Sequence, residues 1–190
     1  MNRIKITGAA AAASIAIAIP LIGKWEGVST TPYYDIGGVL TVCYGETVNV
    51  KKSDVYTKTE CEQMLADRVP DYYNGAMQHV TYEDVPVQIQ AAITSFSYNV
   101  GVNAFKNSTL LRKLNKGDFV GACMELDRWV YDNGKVIKGL ANRRKEEKAL
   151  CFEGATTPPT IKPPPVELPP GLPPVEPELN WLQRFLQIIF

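Results

Sequence analysis

The chain has 190 residues, with 20 Lys and Arg against 20 Asp and Glu, so its formal net charge is zero. That length fits one domain with appendages, and nucleic acid is not expected as a partner. A single histidine and four cysteines without a C-x-x-C spacing argue against a zinc site, and no metal or organic cofactor is implied.

The charge is nevertheless uneven. Glu46 to Asp84 holds eight acids and four bases, whereas Lys106 to Lys148 holds eleven bases and six acids. A basic half can face an anionic polymer such as cell wall, or nucleic acid, and solvated helix faces give the same composition.

In chain order, Arg3 and Lys5 precede residues 6–23, an uncharged run of eighteen residues. A spanning helix needs about 20 mostly apolar residues, so the run is just long enough. Its alanines, glycines, Ser14 and Thr7 partition weakly, and only the Ile and Leu residues contribute strongly. Its basic end would stay cytoplasmic, placing Glu26 onward outside. Three fates are open: cleavage at Ala16-Ile17-Ala18, permanent anchoring, or an uncleaved segment that later leaves the bilayer.

The stretch from Trp25 to Gly45 follows. It holds Glu26, Asp35 nine residues on, and Thr41 six further. Gly37-Gly38, set between Tyr33-Tyr34 and Val39-Leu40-Thr41, predicts a hairpin turn, since glycine reaches positive φ without steric cost. Such a hairpin would fold Asp35 and Thr41 back to face Glu26 across a cleft. Two carboxylates so placed suit glycoside hydrolysis, one protonating the leaving oxygen and the other handling water or attacking. On spacing alone, two unrelated surface acids are the stronger reading, because two carboxylates in a window of this size are common.

Four cysteines allow three pairings. Cys43 with Cys61 and Cys123 with Cys151 join segments close in sequence and are the expected pairs. Four reduced, buried thiols are the alternative for a chain that stays in the cytosol.

Helical signals come next. Thr57-Lys58-Thr59-Glu60 is a capping box, followed by Met64, Leu65 and Val69 at helical spacing, with Pro70-Asp71 as the expected stop. Asp84-Val85-Pro86 predicts a second start, with Asp84 as N-cap. Residues 87–100 are apolar nearly all round, as in a central buried helix, and Gly101 is the expected stop. Asp118 caps a helix carrying Cys123, Leu126 and Trp129, with Trp129 expected in the core. Asn133-Gly134 marks a turn. From Thr156 to Pro177 ten of 22 residues are proline, which predicts an extended linker. Leu179 to Phe190 then has the pattern of an amphipathic, aromatic-rich helix suited to a membrane interface or a protein groove.

Several of these pieces resemble the phage-type lysozymes of glycoside hydrolase family 24. That family's pattern is Glu, eight residues, Asp or Cys, five residues, Thr, and Glu26, Asp35 and Thr41 match each step. Ser95-Phe96-Ser97-Tyr98-Asn99-Val100-Gly101 and Asn107-Ser108-Thr109-Leu110-Leu111 are similar to its central-helix region. Gly139-Leu140-Ala141-Asn142-Arg143-Arg144-Lys145-Glu146-Glu147 is similar to its closing motif, Gly-Leu-x-x-Arg-Arg-x-x-Glu. The resemblance covers residues 24 to 153.

The resemblance implies an α+β fold, a small β-hairpin sheet plus a mainly helical lobe with the active-site cleft between them. It implies a peptidoglycan hydrolase acting on the β-1,4 bond between N-acetylmuramic acid and N-acetylglucosamine, with inversion. Glu26 would be the general acid, Asp35 would activate water and Thr41 would position it. Asn107 and Ser108 would lie on the substrate side, with helix capping as the other reading of Ser108. Arg143 joins that side by pairing with an acid near the cleft, in a forked contact. Arg144 and Lys145 fit equally well on a solvated basic face.

Some family members carry a signal-arrest-release segment, and the alanine-rich run is similar in character. Release therefore ranks before cleavage, and cleavage before anchoring. The expected organisation is a membrane segment over 1–23, a catalytic domain over 24–155, a linker over 156–178 and a terminal helix over 179–190. Expected partners are peptidoglycan, the inner membrane through residues 1–23, and a membrane or protein surface for residues 179–190, with the enzyme a monomer. Export would place it tethered to the inner membrane, facing the periplasm, and then free in that space. The competing function is a catalytically silent murein-binding or membrane-organising protein on a lysozyme-like body.

Overall fold

A computed structural model describes residues 8–35 and 37–156. The proline-rich linker and the terminal amphipathic helix read from the sequence lie outside the described residues.

The first helix, α1 (Gly8–Glu26), is built on alanine, the best helix former. It is long and apolar enough to cross a membrane, and it runs unbroken past residue 23. Here it packs as part of the body. Ser14, Ala18 and Ile22, spaced four apart, are its buried face, with Ala11 and Ile15 packed beside them. Gly27, at φ +69°, ends the helix directly after Glu26.

Strands β1 (Ser29–Tyr34) and β2 (Leu40–Cys43) pair antiparallel, with Tyr33 opposite Thr41 and Tyr34 opposite Leu40. The register slips between Ser29 and Tyr33, where Pro32 has no N–H to give to the ladder. The hairpin turn closes through Asp35 N–H to the Val39 carbonyl (3.0 Å) and Gly38 N–H to the Asp35 carbonyl (2.9 Å). Gly38 takes φ +76° there, which meets the expectation from the glycine pair.

Helix α2 (Lys58–Met77) opens with the capping box: Thr57 Oγ1 accepts from Glu60 N–H (3.2 Å), and Glu60 Oε2 accepts from Thr57 N–H (2.6 Å). It does not stop at Pro70. Its apolar face, Cys61, Leu65, Val69, Tyr73, Ala76 and Met77, continues beyond the proline and stays buried. Burial of the last three side chains offsets the hydrogen bond that proline removes.

Helix α3 (Val87–Val100) is the central helix, with every residue from Ile89 to Ser97 buried. Its start also differs from the sequence expectation. Pro86 stands at the N-cap without a side-chain cap, and Asp84 sits outside at φ +56°. The preset φ of proline carries the chain into the first turn, so a side-chain cap is not required. Gly101, at φ +86°, ends the helix by donating to the Ser97 carbonyl at 2.9 Å.

Short helices α4 (Val102–Lys106), α5 (Thr109–Leu114) and α6 (Phe119–Met124) follow, then a 3-10 turn (Glu125–Arg128). Ser108 caps α5 by accepting from Leu111 N–H (3.0 Å), and Asp118 caps α6 by accepting from Gly121 N–H (2.8 Å). A hairpin of β3 (Tyr131–Asp132) and β4 (Lys135–Val136) turns at Asn133-Gly134, both at positive φ. The last described helix, α7 (Lys138–Thr156), lies against α3. The approach is close at Gly154, where a Cβ would sit 2.8 Å from an Ile89 side-chain carbon.

The architecture is therefore α+β: a small hairpin sheet and a helical lobe. One core cluster surrounds Phe96, Phe105, Leu114 and Leu126, and Trp129 meets Phe96 edge-on with ring centres 5.1 Å apart. The other gathers Ala18, Ile22, Val42, Tyr44, Leu65 and Val69, so α1 is a structural member of it. Disulfides join Cys43 to Cys61 and Cys123 to Cys151. They bind β2 to α2 and α6 to α7.

Candidate active site

The C-terminal turn of α1 is fastened to α7 by three consecutive residues. Lys24 Nζ meets Glu146 Oε1 at 2.7 Å, and Trp25 Nε1 donates to Glu146 Oε2 at 3.2 Å. Glu26 Oε1 accepts from Arg143 at 2.6 Å. Glu26 Oε2 has no partner among the described residues, and the side chain remains 22% exposed. One oxygen of this carboxyl is thus fixed by the protein, and the other is not.

Arg143 is 3% exposed. Its remaining donors go to Glu147 Oε1 (3.0 Å) and the Ser95 carbonyl (3.1 Å). The pairing with an acid expected from the sequence is present, but not as a fork on one carboxylate: Arg143 gives one N–H to Glu26 and another to Glu147. Arg144 is also buried, held by Glu147, by Asn99 and by the Trp129 carbonyl (3.2 Å). Burial pulls the Arg144 guanidinium below its ordinary value. Lys145, by contrast, is on the exposed face.

Asp35 and Thr41 both bond to the backbone of one residue, Val39. Asp35 Oδ1 accepts from the Val39 N–H at 2.7 Å, and Thr41 Oγ1 donates to the Val39 carbonyl at 3.0 Å. Asp35 is exposed at the hairpin turn and Thr41 is buried on β2. The pair is linked to Glu26 through Gly27-Val28 and β1, and no hydrogen bond joins the two groups among the described residues.

Tyr98 of α3 lies near Glu26. Its hydroxyl donates to the Tyr44 carbonyl at 2.8 Å. Burial first, and the charge of Glu26 second, raise this phenol well above its ordinary range, so it stays a neutral donor. Asn107 is exposed and its amide donates to the Asn103 carbonyl at 2.9 Å, while the Ser108 hydroxyl is the buried cap of α5.

Ser95 and Glu147 were not singled out from the sequence, although both lie in the motifs quoted above. For Glu147 the available signal is its spacing of four from Arg143, one helical turn, which brings the two side chains together.

A protein-family model described as "Phage lysozyme" matches residues 23–147. The chain belongs to the phage lysozyme family. Within it, the chain is 46% identical over 132 residues to a SAR-endolysin of bacteriophage PS119, covering 68% of this chain and 77% of the relative. It is 42% identical over 149 residues to a SAR-endolysin of enterobacteria phage P21, covering 77% and 90%. Among solved structures, the endolysin of Escherichia coli O157:H7 phage FAHEc1 superposes with TM-score 0.65 at 26% identity, covering 72% of this chain and 91% of that one. This phage lysozyme is accordingly an endolysin, a peptidoglycan hydrolase of the lysozyme type, and its apolar N-terminal helix is compatible with membrane tethering.

Proposed function

We propose that the enzyme cleaves the β-1,4 bond between N-acetylmuramic acid and N-acetylglucosamine by single displacement with inversion. Glu26 is the general acid and gives its proton from Oε2 to the leaving oxygen. The observation that carries this assignment is the half-occupied carboxyl: Oε1 is locked on buried Arg143, and Oε2 is unpartnered among the described residues.

Asp35 and Thr41 handle the water. Thr41 gives its own hydrogen to the Val39 carbonyl, so its oxygen is free to accept one from water. Asp35 engages Val39 through Oδ1, which leaves Oδ2 to accept the second. A water held by two acceptors presents a lone pair to the anomeric carbon. As the bond to the leaving oxygen breaks, Asp35 takes one proton from the water, the second stays on the new hydroxyl, and Glu26 gives its own proton to the leaving oxygen.

Before activation, residues 1–23 hold the enzyme on the inner membrane facing the periplasm. Release makes it a soluble periplasmic monomer that keeps the apolar segment, with α1 packed on the catalytic domain of residues 24–155. The supports are the length and composition of α1 and the SAR-endolysin relatives.

The test is murein cleavage by purified protein, with product anomers followed by NMR. Wild type should release the inverted anomer, and Glu26→Gln should lose at least about a thousandfold in rate, because its amide cannot donate the proton. Near-normal rates for Glu26→Gln would remove the assignment. No cleavage by the folded wild type would leave a silent murein-binding body instead.

A further inference from the structure

A fully buried carboxylate is costly unless both oxygens are paired. Glu147, with no solvent exposure, has that pairing. Its Oε1 accepts from Ser95 Oγ (2.7 Å) and Arg143 Nε (3.0 Å), and its Oε2 from Arg144. The two arginines then diverge. Arg144 is anchored to the body through Asn99, the Trp129 carbonyl and the face of Phe96, whose ring centre is 4.8 Å from its guanidinium carbon. Arg143 reaches forward to Glu26. Two guanidinium charges and one Glu147 carboxylate leave a single net positive charge facing Glu26.

We propose that Glu147 is a positioning residue for the Glu26 carboxyl, acting through Arg143. It fixes the Arg143 fork and cancels one of the two arginine charges. The inference rests on the reading of Glu26 as the proton donor. Arg144, though remote from the cleft, belongs to the same device, because its charge is the one Glu147 offsets.

Other titratable and charged groups lie around Glu26 and Tyr98. Lys24 on α1 is held by Glu146 on α7. Tyr98 on α3 is a neutral donor. Glu46 after β2 and Arg68 on α2 act on Tyr98 with opposite sign. Asp35 belongs to the hairpin turn. Substitutions at Glu147 or Arg144 change none of these.

The experiment is the pH profile of kcat/KM on soluble murein fragments, with folded fraction and Tm measured for each variant. A general acid loses activity on the alkaline limb, where its proton is gone. An uncancelled positive charge favours the carboxylate form of Glu26. In Glu147→Gln the alkaline limb should therefore move to lower pH by about one unit. In Arg144→Gln it should move to higher pH, and Arg144→Lys should restore it. Ser95→Ala alters no charge, so its limb should stay while kcat falls about threefold or more with KM within about twofold, since only the orientation of the fork is loosened.

An unmoved limb in Glu147→Gln, with rate loss matching the lost folded fraction, overturns the proposal. If Glu147→Gln does not fold, an unmoved limb in Arg144→Gln overturns it equally, as does a wild-type kcat in Ser95→Ala. Glu26→Gln in the same assay separates the two readings. An active Glu26→Gln removes the general acid itself, whereas an inactive one beside unmoved limbs removes only the role of Glu147.

Discussion

Replacing Ile22 by alanine tests whether α1 is part of the folded enzyme or a passenger on it. Ile22 has no solvent exposure and lies one turn before Glu26, in the cluster with Val42, Leu65 and Val69. A buried Ile→Ala change costs about 2–5 kcal/mol, from lost transfer energy plus the cavity left behind. Against a typical total of about 5–15 kcal/mol, that is a large share. For a domain of this size it corresponds to a fall in Tm of roughly 5–15 °C. Ala16→Ser, at an exposed position on the opposite face of α1, is the control and should stay within about 0.5 kcal/mol of wild type. The assay is thermal and urea unfolding of the purified soluble enzyme, with murein cleavage measured at a temperature where both variants are folded. A Tm for Ile22→Ala within a degree of wild type would refute the reasoning, because α1 would then carry no core.

Three further outcomes follow from the structure. Leucine at Ala9, Ala12 and Ala13, all exposed on α1, should leave the soluble fold intact yet hold the protein in the membrane and suppress lysis on depolarisation, at about 0.5 kcal/mol per residue on the insertion scale; membrane fractionation and turbidity check it. Removing either disulfide by paired Cys→Ala changes should cost about 3 kcal/mol in the chain-entropy model, for sequence separations of 18 and 28 residues, read by urea unfolding. Glu125 is held below its ordinary value of 4.5 by its hydrogen bond to Lys113 first and by Arg128 further. A depressed carboxylate stabilises above its unfolded value and loses that contribution as pH falls through the folded one. Glu125→Gln should therefore flatten the fall of Tm on acidification below about pH 4.5.

What the sequence made legible was local. The capping box at Thr57 and Glu60, the caps Ser108 and Asp118, the stop at Gly101 and the turns at Gly37-Gly38 and Asn133-Gly134 each depend on a few neighbouring residues. Pro70 and Asp84 misled for the opposite reason: a buried face beyond Pro70 and a proline at the N-cap outweighed the local signal. The candidate site was half legible. The spacing of Glu26, Asp35 and Thr41 matched a family pattern, and the Arg143 contact with an acid was anticipated. That Arg144 turns inward while Lys145 turns out depends on where α7 meets α3, and a run of basic residues does not carry that information. Ser95 and Glu147 are 52 positions apart, and each looks unremarkable until the two helices are packed.

The two disulfides have a consequence beyond stability. Both ends of each bridge lie in the part of the chain after Glu26, so no cross-link includes α1. Its only covalent tie to the rest is the single backbone path through Gly27. The oxidised body and an undocked first helix are therefore covalently compatible, and bridge formation need not wait for docking. Glu26 travels with that helix, whereas Arg143, Glu147, Asp35 and Thr41 stay behind. Durability is written into one set of bonds and competence into another, so the molecule can be built to last before it is complete.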